Sequence, residues 1–115
     1  MTTIYGIRNC DTMKKARAWL DTHGVDYQFH DYKTQGIARE TLEGWANSVG
    51  WEALLNRSGQ TFRKLPDADK DGIDAKKALA LMLAQPSMIR RPVLDAGGGK
   101  LLVGFRPADY QAAFA

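Results

Sequence analysis

Thr2-Thr3-Ile4-Tyr5-Gly6-Ile7-Arg8-Asn9-Cys10-Asp11 is the stretch that decides the fold. The β-branched run from Thr2 to Tyr5 predicts a short strand. Met13, Ala16, Trp19 and Leu20 then recur at helical spacing, and the run stops at His23-Gly24, a good C-terminal cap. Val25, Tyr27 and Phe29 alternate with Asp26, Gln28 and His30, the pattern of a strand with one buried face. A helix of this length serves as a crossover, so the two strands should be parallel with a right-handed connection.

Downstream, a polar break at Lys33-Thr34-Gln35-Gly36 precedes a second helical pattern of Ile37, Leu42, Trp45, Ala46 and Val49, ended by Gly50. Trp51 to Leu55 predicts a further short helix. Residues 57–72 carry Ser58-Gly59, Pro66 and Asp71-Gly72, which predicts a loop with at most brief helical turns. Asp74 can cap a helix over 75–84 with a buried stripe of Ala78, Leu79, Met82 and Leu83, closed by Pro86. Val93-Leu94 and Leu101-Leu102-Val103-Gly104, separated by Gly97-Gly98-Gly99, predict a hairpin, and Pro107-Ala108-Asp109 can start a last helix. The order is βαβ, a helical insert over about 37–85, then ββα. This is an α/β, thioredoxin-like arrangement with a four-stranded mixed sheet, expected as a single domain over residues 1–115.

Composition narrows the function classes. With 44% apolar and 25% charged residues the chain is an ordinary globular protein. The net charge of +3 is too small to argue for nucleic acid, because acids and bases are interleaved almost throughout. Neither a membrane span nor a secretory signal is expected, and the expected compartment is the cytoplasm. The basic excess falls between Pro86 and Pro107, where Arg90, Arg91, Lys100 and Arg106 face only Asp95. A local anion site explains that better than a duplex-binding face.

Cys10 is the only cysteine. It stands where a strand turns into a helix, and a thiolate there gains from unpaired N–H groups and the positive dipole end. Arg8, Lys14, Lys15 and Arg17 lie close in sequence, whereas Asp11 opposes them. One cysteine cannot form an internal disulfide, so a thiol cycle must recruit a partner's sulfur. In a thioredoxin-like sheet the loop before the third strand, Arg91-Pro92, comes beside the start of the first helix, and a proline there is often cis. Arg91 and Arg106 would then face the sulfur from two sides, suited to a tetrahedral oxyanion or a glutathione carboxylate. No metal site is expected: His23 and His30 lie on different elements, and His23 suits the carbonyls at the end of its own helix. Asp67, Asp69, Asp71 and Gly72 resemble a calcium loop only faintly, since the closing glutamate is absent. Trp19, Trp45 and Trp51 fall on apolar faces and are expected in the core.

Taken together, Thr3-Ile4-Tyr5-Gly6-Ile7-Arg8-Asn9-Cys10-Asp11-Thr12, His30-Asp31-Tyr32, residues 50–56 (GWEALLN), Phe62-Arg63-Lys64-Leu65 and Arg91-Pro92 resemble the ArsC/Spx family, and within it the YffB-type branch. The resemblance implies a thioredoxin-like fold with a helical insert between the second and third strands. For the glutaredoxin-coupled arsenate reductases of that family it implies a single thiol that attacks arsenate, with glutathione and glutaredoxin resolving the adduct. Cys10 matches the nucleophile, Arg91 the oxyanion-binding arginine before the proline, and Arg106 the third arginine of that set. Gly6, Met13 and Asn56 stand where the family carries histidine, serine and arginine. Their loss should weaken arsenate binding and raise the thiol pKa. The implied function is a glutathione-dependent thiol oxidoreductase with Cys10 as nucleophile, Arg91 and Arg106 binding its anionic partner, and Asn9, Thr12 and Pro92 shaping the pocket. No bound cofactor is expected. Glutathione is the expected co-substrate and glutaredoxin a candidate partner. The alternative is an Spx-like regulator that binds RNA polymerase without chemistry. An internal Cys-x-x-Cys switch is impossible there, because Met13 stands at the second position.

Overall fold

The computed structural model describes residues 2–114. They divide into two compact units, one made of the residues up to Gln35 together with those from Arg91 onward, the other of Gly36–Arg90. The first unit opens with β1 (Thr3–Gly6), α1 (Asp11–Thr22), β2 (Gln28–Asp31) and the single turn α2 (Tyr32–Gln35). The second unit holds α3 (Arg39–Val49), α4 (Trp51–Leu54), α5 (Gln60–Arg63), α6 (Asp67–Lys70), α7 (Ala75–Ala84) and a 3-10 turn at Pro86–Met88. The chain then returns to the first unit with β3 (Val93–Gly97), β4 (Lys100–Val103) and α8 (Pro107–Phe114).

The four strands form one mixed sheet in the order β2-β1-β3-β4, with β1 and β2 parallel and β1-β3 and β3-β4 antiparallel. Register sets the faces. Ile4 lies opposite Phe29 and Leu94, and Leu94 opposite Leu102, so these four share one face by the period-two rule. Against them pack Met13, Ala16 and Leu20 of α1 and Tyr110 of α8. Each fully buried Leu or Ile in such a cluster contributes about 1.5–3 kcal/mol relative to exposure. Tyr5, His30, Val93 and Val103 share the other face, where the Tyr5 and His30 rings lie 4.8 Å apart.

Backbone pairing of β2 begins at Gln28, although the burial alternation starts at Val25. The reason is its partner: β1 starts at Thr3, and the first bond across is Gln28 N–H to the Thr2 carbonyl at 2.9 Å. His23 closes α1 as expected, its Nδ1 lying 2.8 Å from the Trp19 carbonyl while its ring stacks 3.8 Å from the Trp19 ring. Trp45 is buried, whereas Trp19 and Trp51 are only half-buried.

In the second unit Leu42, Trp45, Leu54, Leu55, Phe62, Ala78, Met82, Met88 and Ile89 are buried. Leu79 and Leu83 are half-buried, so the buried stripe of α7 is narrower than expected. Asp74 caps α7 by accepting the Lys77 N–H at 2.8 Å. The stretch that faintly resembles a calcium loop is tied down by an ammonium: Lys77 Nζ donates to the carbonyls of Ala68 at 2.8 Å and Asp71 at 2.5 Å. No helix of the described residues is long and apolar enough to cross a membrane.

Candidate active site

Strand directions bring the chemistry to one edge of the sheet. The C-terminal ends of β1, β2 and β4 and the start of β3 lie together there, so residues 7–10, Tyr32, Arg91-Pro92 and residues 104–106 gather along it. The loop after β4 is tied to that edge by a 2.8 Å bond from the Gly104 N–H to the Pro92 carbonyl. The Arg91-Pro92 peptide is cis, and Pro92 is buried.

Cys10 is the N-cap of α1, with extended backbone angles of −109° and 129°, and it is half-buried against the sheet core. Its thiol closes no formal capping hydrogen bond. Burial pushes the thiol pKa up, but the opposing groups outweigh it: the Met13 N–H, the Arg91 charge, the Thr12 N–H and a hydrogen bond from the Arg91 side chain all favour the thiolate. The net pKa lies below the ordinary thiol value. Asp11 does not enter this balance. The thiol is therefore biased toward its nucleophilic form without the histidine and serine that the resemblance leads one to seek at positions 6 and 13.

Gly6 and Met13 explain each other. A Cβ at position 6 would overlap the Met13 sulfur and lie 2.9 Å from Met13 Cε, and Met13 is fully buried. The side chain at 13 thus occupies the space that any side chain at 6 would need.

Among the residues singled out from sequence, the fold brings Cys10, Thr12, Arg91 and Pro92 together. Asn9 is exposed in the loop before Cys10. Arg106 is exposed on the same sheet edge, where its carbonyl accepts from Asp109 and Tyr110 to begin α8. Of the two arginines expected at the sulfur, Arg91 is the one whose charge and hydrogen bond lower the thiol pKa. Sequence reasoning missed Tyr32, which is buried, stacks 6.5 Å from Tyr5, and has a hydroxyl without a partner. Burial, then Tyr5, raise its pKa, and Arg91 partly offsets them. The available signal was an aromatic residue directly after the strand that ends at Asp31. It also missed the Phe29 ring, over which Arg17 lies at 4.7 Å and Arg8 at 5.8 Å.

The ArsC family profile matches residues 5–113. The chain belongs to the ArsC family. This ArsC-family chain is similar to the solved structure of the YffB protein, at 59% identity with all of both chains covered and a TM-score of 0.97. An arsenate reductase (ArsC) related protein from Brucella melitensis is 61% identical over 98% of this chain and 93% of its own, with a TM-score of 0.77. The global transcriptional regulator Spx of Streptococcus mutans is 29% identical over 97% of this chain and 82% of its own length. Membership and the thioredoxin-like fold thus agree with the reading from sequence, and the family is one of thiol oxidoreductases and Spx regulators.

Proposed function

We propose that this ArsC-family chain is a glutathione-dependent thiol oxidoreductase in which Cys10 is the only nucleophile. The observation that carries the reading is a half-buried thiol of lowered pKa at the N-cap position of α1, beside Arg91. Cys10 thiolate attacks one sulfur of a target disulfide, a new S–S bond forms, and the displaced thiolate takes a proton. A glutathione thiolate then attacks the mixed disulfide and returns Cys10 as thiolate, while a second glutathione resolves the remaining adduct, directly or through glutaredoxin. Two electrons pass from two glutathione thiols to the target disulfide, and no bound cofactor is needed. Arg91 favours the thiolate as nucleophile and again as leaving group, and Thr12 and Met13 do so through their N–H groups. Arg106 and Asn9, exposed at the same sheet edge, are free to contact the partner. Such a cycle suits a reducing compartment, and we assign it to the cytoplasm.

Disulfides suit this site better than arsenate. A tetrahedral oxyanion needs several donors aimed at its oxygens, and the side chains at positions 6 and 13 supply none. The test is turnover of a mixed glutathione disulfide in a glutathione-coupled assay. Wild type should turn over and Cys10→Ser should not; full turnover by Cys10→Ser would sink the reading. The similarity to Spx favours one second reading, a protein that binds RNA polymerase without chemistry. That reading expects capture of polymerase subunits that survives Cys10→Ser.

A further inference from the structure

Arg8 and Arg17 hold two like charges over one ring. Arg17 is fixed there from two directions, since its Nε also donates to the Tyr27 hydroxyl at 3.3 Å. Neither guanidinium pairs with a carboxylate of the described residues, although Asp11, Asp21 and Asp26 are near in sequence. Both guanidiniums therefore keep donors for an external anion, and a carboxylate that reaches them gains charge-assisted hydrogen bonds.

Their place on the fold says which anion. Cys10 and Arg17 are seven residues apart, nearly two turns, so they share one flank of α1 at about 10 Å separation, and exposed Lys14 lies between them on that flank. An extended tripeptide spans about the same length. We propose that Arg8 and Arg17 form a carboxylate subsite, distinct from Arg91, that binds the far end of a short acidic thiol peptide whose sulfur is at Cys10. This rests on the thiol reading above and narrows it to disulfides of carboxylate-bearing thiols. Arg17 and Arg8 are absent from the groups that set the thiol pKa, so they act on what the sulfur meets rather than on its reactivity.

The experiment compares the rates at which Cys10 is modified by glutathione disulfide, which bears carboxylates, and by 2-hydroxyethyl disulfide, which is uncharged, followed by mass spectrometry. The readout is the ratio of the two rates. Arg17→Gln should lower the ratio about three- to fivefold, the range of a partly exposed ion pair, and Arg8→Gln with Arg17→Gln should lower it further. Added salt should lower the wild-type ratio and leave that of the double variant flat. An unchanged ratio in both variants overturns the subsite while leaving the thiol reading intact, as does an equal loss with both reagents. Failure of either disulfide to modify wild-type Cys10 overturns the thiol reading and the subsite with it. If Arg17→Gln does not fold, Arg8→Gln on its exposed loop supplies the same comparison.

Discussion

Gly6→Ala is the smallest change that probes how the site floor is built. The new methyl would meet Met13 Sδ inside contact distance, with Cε at 2.9 Å and Cγ at 3.1 Å. Met13 is long and flexible, but it is fully buried in the cluster of Ile4, Ala16, Leu20, Leu94 and Tyr110. Moving it therefore displaces neighbours, and such overpacking costs about 1–3 kcal/mol. At ~4 °C per kcal/mol for a chain of this size, the melting temperature should fall by about 4–12 °C. Met13→Ala alone should cost about 2–5 kcal/mol through the cavity it leaves.

The pair is the decisive case. In the double variant the methyl at 6 enters space that Met13 has vacated, so the combined loss should fall short of the sum by about 1–2 kcal/mol. Denaturant melts of the four chains measure this. Additivity within about 0.5 kcal/mol would refute the claim that the two positions compete for one volume. A second readout links the packing to the thiol. Met13's N–H is the strongest of the groups favouring the Cys10 thiolate, so Gly6→Ala, by pushing Met13, should raise the pH midpoint of Cys10 alkylation. Met13→Ala keeps the N–H and thins the apolar packing beside the sulfur, so that midpoint should not rise.

Arg91→Gln removes both a charge and a hydrogen bond from the thiolate, so the alkylation midpoint should rise, and Arg91→Lys should recover part of the shift. Because the folded thiol pKa lies below its unfolded value, its stabilising effect is present above the unfolded pKa and fades as pH falls through the folded one. The stability difference between wild type and Arg91→Gln should accordingly widen toward alkaline pH in denaturant melts. Lys77→Met should destabilise the second unit by about 1–2 kcal/mol, because the carbonyls of Ala68 and Asp71 lose a charged donor. Hydrogen exchange confined to residues 66–77 would check that the loss is local.

The strand, crossover and hairpin were legible because periodicity is a local property: the residues that alternate or recur at helical spacing are those that the sheet and α1 bury. Cys10 and Arg91 were legible as a pair only through topology, since residues far apart in sequence meet at one sheet edge once the strand order is known. What stayed hidden depends on side-chain volume and reach. No pattern in the chain tells that Met13 fills the space over Gly6 or that Arg8 and Arg17 share Phe29. The polar stretch 57–72 left room for brief helical turns, and α5 and α6 are single turns; what it did not show is that lysine ammonium groups tie them, Lys70 Nζ reaching the Arg63 carbonyl at 2.8 Å and Lys77 holding two more carbonyls.

These hidden contacts bear on the chemistry. Filling position 6 with space for Met13 gives the sulfur an apolar floor, and an apolar floor raises a thiol pKa unless donors offset it. Here the offset comes from two N–H groups at the start of α1 and from Arg91. All three act on the sulfur itself, so they stabilise a thiolate equally as attacker and as leaving group. That is the balance disulfide exchange requires, because the same sulfur must attack in one half of the cycle and depart in the other. On the thiol-exchange reading proposed above, the glycine and the methionine leave stabilisation of the thiolate to the backbone at the start of α1 and to Arg91.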